Sequence, residues 1–248
     1  MNISGNTIFI PGATSGIGLA LALRLKAAGN AVIIGGRRTE LLETLAAEHG
    51  FSTVHIDTTD AASVLSARDE ILAQHSDLNV LVAMAGIMLV EDVRGAGFLA
   101  DAERIVETNI TGPLRLVSAF IEHLQTRADA TLVTVSSGLA FTPLAVTPTY
   151  NGSKAFIHQF SESIRLQLAG TSVRVVELVP PAVQTELLPG GSENGHYMPL
   201  DAYADEVMAL LESQTDATEI LVEGVKFLRF AEVEGRYPET VAAINPAA

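Results

Sequence analysis

Along the chain, short runs of β-branched and apolar residues alternate with longer stretches in which apolar positions recur every three or four residues, from the N-terminus to about residue 224. That alternation is the pattern of repeated strand–helix–strand units built on a parallel sheet. The runs predict strands at 7–10, 31–34, 53–56, 80–83, 130–135, 173–179 and 220–222, and helices near 16–28, 39–49, 61–74, 101–125, 150–169 and 201–213. The segment Val80-Leu81-Val82-Ala83 has no polar position, as expected of a strand covered on both faces. Gly29 and Gly50 stand where left-handed helix ends are wanted, and Asp60 and Asp201 where N-caps are wanted. The expectation is a single α/β domain over residues 1–248, a doubly wound parallel sheet of about seven strands with helices on both faces. The longest irregular stretch, 180–199, reads as a functional loop.

Composition narrows the chemistry. Of 248 residues, 29 are acidic and 15 basic, for a formal charge of −14, which argues against a nucleic-acid partner because phosphate binding needs surplus Lys and Arg. Ten of the acids and three of the bases lie in 201–248, read as a solvated acidic face. There is no cysteine, so disulfide, thiolate and zinc-thiolate chemistry drop out. The six histidines show no paired metal spacing, and no metal site is expected. No apolar run reaches bilayer length and residues 1–10 lack an export signal, so no membrane partner and a cytoplasmic location are expected.

The first predicted strand runs into Pro11-Gly12-Ala13-Thr14-Ser15-Gly16-Ile17-Gly18 and then into an apolar helix. Glycines there allow a tight turn and close backbone approach, while the helix start offers free N–H groups to a pyrophosphate. This makes the sheet Rossmann-like. No Lys-Ser/Thr pair follows Gly18, which excludes a P-loop. The second strand ends in Gly35-Gly36-Arg37-Arg38 rather than an acid. Guanidiniums there would bind a ribose 2′-phosphate that an acid would repel, which favours NADP(H) over NAD(H). Arg37 is expected in that role more than Arg38, which could simply begin the next helix.

Tyr150-Asn151-Gly152-Ser153-Lys154 puts a phenol and an ammonium four residues apart on one helix face. With four Tyr and three Lys in the chain, such a pair arises by chance only about one time in twenty. A cation that favours phenolate would bring the phenol nearer working pH as a general acid or base.

With these residues the chain resembles the short-chain dehydrogenase/reductase family over nearly its whole length. The resemblance rests on Gly12, Gly16 and Gly18, Ala85-Gly86 after the fourth strand, Asn109, Ser137 thirteen residues before Tyr150, Lys154, and Pro180-Pro181-Ala182-Val183-Gln184-Thr185. Residues 135–141 and 187–190 are similar to the branch named for the bacterial oxidoreductase DltE. The resemblance implies that Tyr150 exchanges a proton with the substrate oxygen and that Ser137 polarises the carbonyl. Lys154 would bind the nicotinamide ribose and depress the Tyr150 pKa, and Asn109 would hold a water leading from Lys154 to solvent. It also implies that Ser15 and Ile17 line the phosphates, Asp57 and Thr58 meet the adenine, Ala85 and Gly86 the ribose, and Val183 and Thr185 the carboxamide. Hydride transfer would interconvert a ketone or aldehyde and its alcohol, in a homodimer or homotetramer.

Three positions depart from the family pattern: Pro11, Ala83-Met84 and Pro181. Loss of polarity at the first two suggests that packing replaces a polar tie between the first and fourth strands. Met88, Leu139, Phe141, Pro143, Val146, Ala182, Leu187, Leu188 and Met198 are candidates for an apolar substrate pocket, which points to a hydrophobic carbonyl substrate. The alternatives are a nucleotide-binding regulatory or scaffold protein without turnover and an NAD(H) enzyme; the complete Asn109, Ser137, Tyr150 and Lys154 set argues against the first.

Overall fold

The computed structural model describes residues 2–246. In chain order its elements are β1 (Thr7–Pro11), α1 (Gly16–Ala27), β2 (Ala31–Gly36), α2 (Thr39–His49), β3 (Ser52–His55), α3 (Ala61–Gln74), β4 (Val80–Ala83), α4 (Leu99–Val106), α5 (Gly112–Gln125), β5 (Ala130–Val135), α6 (Pro148–Gln167), β6 (Val173–Leu178), α7 (Leu200–Ser213), β7 (Glu219–Ile220), α8 (Glu223–Arg229) and α9 (Tyr237–Ile244). The strands form one seven-stranded sheet in the order β3-β2-β1-β4-β5-β6-β7, and every pairing is parallel. The order reverses between β1 and β4, and ligands of such sheets bind outside the carboxyl ends of the strands at that switch point.

Two apolar layers cover the sheet. Ile8, Ile10, Val32 and Ile34 pack on α1 and α7 through Leu21, Leu25, Tyr203 and Val207. From the other face, Phe9, Ile33, Leu81 and Leu132 meet Ile71, Leu116 and Phe120 of α3 and α5. Alternate residues of one strand thus enter opposite layers, and each central strand is buried throughout.

Strands β4 and β5 and helices α2 and α3 have the predicted bounds. Asp60 accepts a hydrogen bond from the N–H of Ala62, the expected cap, and Gly50 ends α2 in the left-handed region at φ 67°. Asp201 is not an N-cap: α7 starts one residue earlier, and Asp201 in its first turn pairs with Arg24 at 3.0 Å. The single helix expected at 101–125 is two, joined by a π-helical turn at Glu107–Thr111. Helices α8 and α9 are additions that the fading periodicity after 224 did not reveal.

Candidate active site

Gly12 begins the loop after β1 with φ 87°, and a Cβ there would come within 3.0 Å of the Ala85 Cα. Both the backbone sign and the space demand glycine. A Cβ on Gly18 would lie 2.9 Å from the Ala13 Cα and 3.1 Å from the Met84 Sδ. Met84 and Ala85 therefore lie against the glycine loop. The first turn of α1 holds no acid, and Ser15 before it makes no side-chain cap. Those N–H groups and the dipole end suit an anion, so the residues fit a pyrophosphate.

Other expected cofactor residues surround this loop. Thr185, from the stretch after β6, would meet a Cβ on Gly16 at 3.4 Å. Its neighbour Val183 is buried and bridges Met198; hydrogen bonds from the N–H of Gln184 to the Met198 carbonyl and from the N–H of Met198 to that of Ala182 close the 180–199 loop on itself. Asp57, just past β3, accepts from the N–H and hydroxyl of Thr59 at 2.9 and 2.7 Å. Burial opposes ionisation of Asp57, but these bonds prevail and hold its carboxyl below the usual range. Thr58 is buried against Gly112. Arg38 stands at the N-cap position of α2, the helix start expected for it, and reaches back to the glycine loop, donating to the Thr14 hydroxyl at 2.6 Å and that of Ser15 at 3.3 Å. Arg37 instead stands where its charge acts on Asp57. Both are exposed.

Ser137, Tyr150 and Lys154 converge at the carboxyl end of the sheet, where their exposures are only 6%, 5% and 6%. Ser137 ends the segment after β5, and its Oγ accepts from the N–H of Leu139. Tyr150 and Lys154 lie one turn apart on α6, with the Lys154 Nζ 5.6 Å from the phenol ring centre. That ammonium donates to the Val135 carbonyl at 2.8 Å. Burial lowers its pKa to about 8, with Glu177 pulling the other way. The phenol goes opposite to the expected depression: burial raises it to about 12, only partly countered by a hydrogen bond with Ser137. Burial acts in this direction because the phenolate loses far more hydration than the phenol.

Asn109 is tied to its neighbours by three side-chain hydrogen bonds. Its Oδ1 accepts from the N–H of Ile87, and its Nδ2 donates to the Ile87 carbonyl, both at 2.8 Å, and to the Ser153 hydroxyl at 3.2 Å. The π-helical turn that carries Asn109 widens the backbone, a feature often found at functional sites. Gly86 lies beside it, where a Cβ would be 3.3 Å from the Asn109 Oδ1 and 3.8 Å from the Lys154 Nζ.

Sequence reasoning missed two buried carboxylates. Glu91 holds the start of α6, its oxygens accepting from the N–H and hydroxyl of Thr149. Glu177, wholly buried in β6, accepts from the Ser136 hydroxyl and bonds to the Nδ1 of His158 at 3.0 Å. A carboxylate in step with Val173 and Val175, which face the core, was the available signal for Glu177; Glu91, in a loop, offered none. The Phe141 ring stands edge-on to that of His158, with 4.6 Å between ring centres, and lies 4.3 Å from the Arg229 guanidinium.

A family model described as short chain dehydrogenase matches residues 6–194. The chain belongs to this family. It is 40% identical to an uncharacterized oxidoreductase DltE of Bacillus subtilis over 190 residues, 75% of each chain. A serine 3-dehydrogenase of Agrobacterium fabrum is 38% identical over 182 residues, 73% of each chain. Among solved structures, a 3-ketoacyl-(acyl-carrier-protein) reductase from Brucella melitensis complexed with NADH aligns over 90% of this chain and 98% of its own, with 26% identity and a TM-score of 0.80. Membership makes the protein an oxidoreductase with a Rossmann-like fold. Among the described residues, no helix is long and apolar enough to cross a membrane.

Proposed function

We propose that the protein is an NADP(H)-dependent oxidoreductase that interconverts a hydrophobic ketone or aldehyde with its alcohol. The observation that carries the reading is the burial of Ser137, Tyr150 and Lys154 together beside a glycine loop that admits no side chain. A bound nicotinamide supplies or accepts the hydride. Tyr150 is the proton donor in the reducing direction: with its pKa near 12 it stays protonated at neutral pH, the form a general acid needs. Ser137 presents its hydroxyl to the substrate oxygen and polarises the carbonyl. Lys154 holds the nicotinamide ribose and supplies positive charge behind the phenol. Asn109, fixed by its bonds to Ile87 and Ser153, holds a water that leads from Lys154 to solvent.

The cofactor preference rests on Arg37 and Arg38, two exposed guanidiniums at the end of β2 with no acid beside them in sequence. The hydrophobic substrate rests on the apolar candidates named above, among them buried Met88 and the exposed side chains of Val146 and Leu187. The test measures reduction of a panel of apolar and charged carbonyls with NADPH and NADH, beside binding of both cofactors to Arg38→Ala. Preference for NADPH and apolar substrates, with NADPH binding weakened at least about tenfold in the variant and NADH binding little changed, is expected. Equal use of NADH would overturn the cofactor assignment. A small charged substrate, such as the serine acted on by the Agrobacterium relative, would overturn the substrate assignment.

A further inference from the structure

Glu177 is 0% exposed, next to the carboxyl end of β6, on the face that α6 covers. A buried carboxylate is costly unless several partners satisfy it. Here those partners belong to the two segments that carry the candidate catalytic groups. The hydroxyl of Ser136, the residue immediately before Ser137, donates to Oε1. His158, one helical turn beyond Lys154 on α6, approaches both oxygens through Nδ1, at 3.2 and 3.0 Å. The field of Glu177 also reaches Lys154.

We propose that Glu177 is a positioning residue for the site: one buried carboxylate that joins the Ser137 strand end to the Tyr150–Lys154 helix and serves as counter-charge to the buried ammonium. The inference rests on the reading of Ser137, Tyr150 and Lys154 given above. Neither a bound cation nor packing alone accounts for the cluster as well. Ligand-type atoms of His158, Glu177 and Glu219 lie within 4.8 Å of one another, which could suggest a cation. Arg229 already supplies positive charge, gripping both Glu219 oxygens at 2.9 and 3.0 Å while stacking on Phe141. A purely packing role would be served by the apolar residue that a covered strand ordinarily holds there.

The charged and titratable groups around Lys154 and its counter-charge are Tyr150 and His158 on α6, Glu177 on β6, Glu219 on β7 and Arg229 at the end of α8. Hydrogen bonding to Glu177 raises the His158 pKa above its ordinary value, against burial. When protonated, His158 therefore neutralises part of the Glu177 charge, and Lys154 feels the carboxylate most strongly once His158 has lost its proton.

The chain has three lysines, Lys26, Lys154 and Lys226, so the titration of Lys154 can be followed by carbon-13 NMR of the lysine side chains, assigned with Lys26→Arg and Lys226→Arg. In Glu177→Gln, which keeps the shape and one acceptor oxygen but removes the charge, the Lys154 midpoint falls by about half a unit or more. The pH above which kcat declines moves down with it. Ser136→Ala breaks only the tie to the Ser137 segment: kcat falls several-fold at every pH while the Lys154 midpoint stays in place. His158→Gln does not lower the midpoint. A folded Glu177→Gln protein whose Lys154 midpoint and pH profile match the wild type overturns the proposal. Should Glu177→Gln fail to fold, a Ser136→Ala protein with wild-type kcat overturns the positioning role. Tyr150→Phe separates the two levels: if it loses turnover while Glu177→Gln is unaltered, only the role of Glu177 fails. If Tyr150→Phe turns over normally, the site assignment fails, and the NMR titration still reports on Glu177 independently.

Discussion

Glu91 holds the catalytic helix from a distant loop. It follows β4, is only 7% exposed, and its Oε2 accepts from the N–H of Thr149 at 2.9 Å while Oε1 accepts from the Thr149 hydroxyl at 2.7 Å. Thr149 is in the first turn of α6, whose preceding residue Thr147 offers no side-chain cap. The carboxylate is therefore a cap supplied from far away in sequence, and it also faces the positive end of the helix dipole. Glu91→Ala leaves a part-buried N–H without its acceptor, at a cost of about 2 kcal/mol, between the usual value of a cap and that of an unsatisfied buried donor. For a chain of this size that corresponds to a melting temperature lower by about 4–8 °C. Because Tyr150 is the next residue, kcat should fall about tenfold or more as the phenol loses its fixed position. Equilibrium unfolding in urea, with Thr149→Val and the double variant, isolates the side-chain pair, and a coupling of about 1 kcal/mol is expected. A Glu91→Ala protein within about 0.5 kcal/mol of wild type, or a coupling near zero, would refute the capping role.

Packing and charge elsewhere lead to three more expected outcomes. In Gly138→Ala the new Cβ would lie 2.7 Å from the Leu228 Cδ1 and 2.9 Å from the Val225 Cγ2; a loss of about 1–3 kcal/mol is expected, and adding Leu228→Ala should recover much of it by giving α8 room. Gly18→Ala meets backbone rather than a flexible side chain, at 2.9 Å from the Ala13 Cα, so dinucleotide binding measured by fluorescence titration should weaken more than about tenfold as the loop shifts. The raised pKa of His158 means that the folded state binds its proton more tightly than the unfolded chain. Its contribution is complete below the unfolded value of about 6.5 and fades as pH rises through the folded value; stability measured across that window should slope less in His158→Gln, and an unchanged slope would show that another group is responsible.

Much of the architecture was legible because each layer leaves a periodic trace. Strand β4 is apolar at every position and its bounds were read without error; Asp60 and Gly50 carry their own local physics as cap and left-handed turn. The π-helical turn at Glu107–Thr111 was invisible because one extra residue in a helix does not disturb the hydrophobic period enough to be noticed. Helices α8 and α9 are short, and their burial is set by what they cover, including Gly138 and, through Asn245, the main chain of Pro143 and Ala145. The arginine pair shows a different limit. Sequence put both side chains at the end of β2, but which one turns toward Thr14 depends on the path of the chain into α2. Likewise, spacing placed Tyr150 above Lys154, yet it could not say that burial would raise the phenol and lower the ammonium. Glu91 and Glu177 act on groups far away in sequence, and only the fold brings those together.

Whether Tyr150 passes the proton in a nicotinamide-dependent carbonyl reduction is decided by NADPH consumption of wild type and Tyr150→Phe on the same carbonyl substrate, with NADPH binding measured alongside. Tyr150→Phe should bind NADPH within a few-fold of wild type and lose at least about a hundredfold in kcat. Wild-type turnover by a Tyr150→Phe protein would refute the assignment.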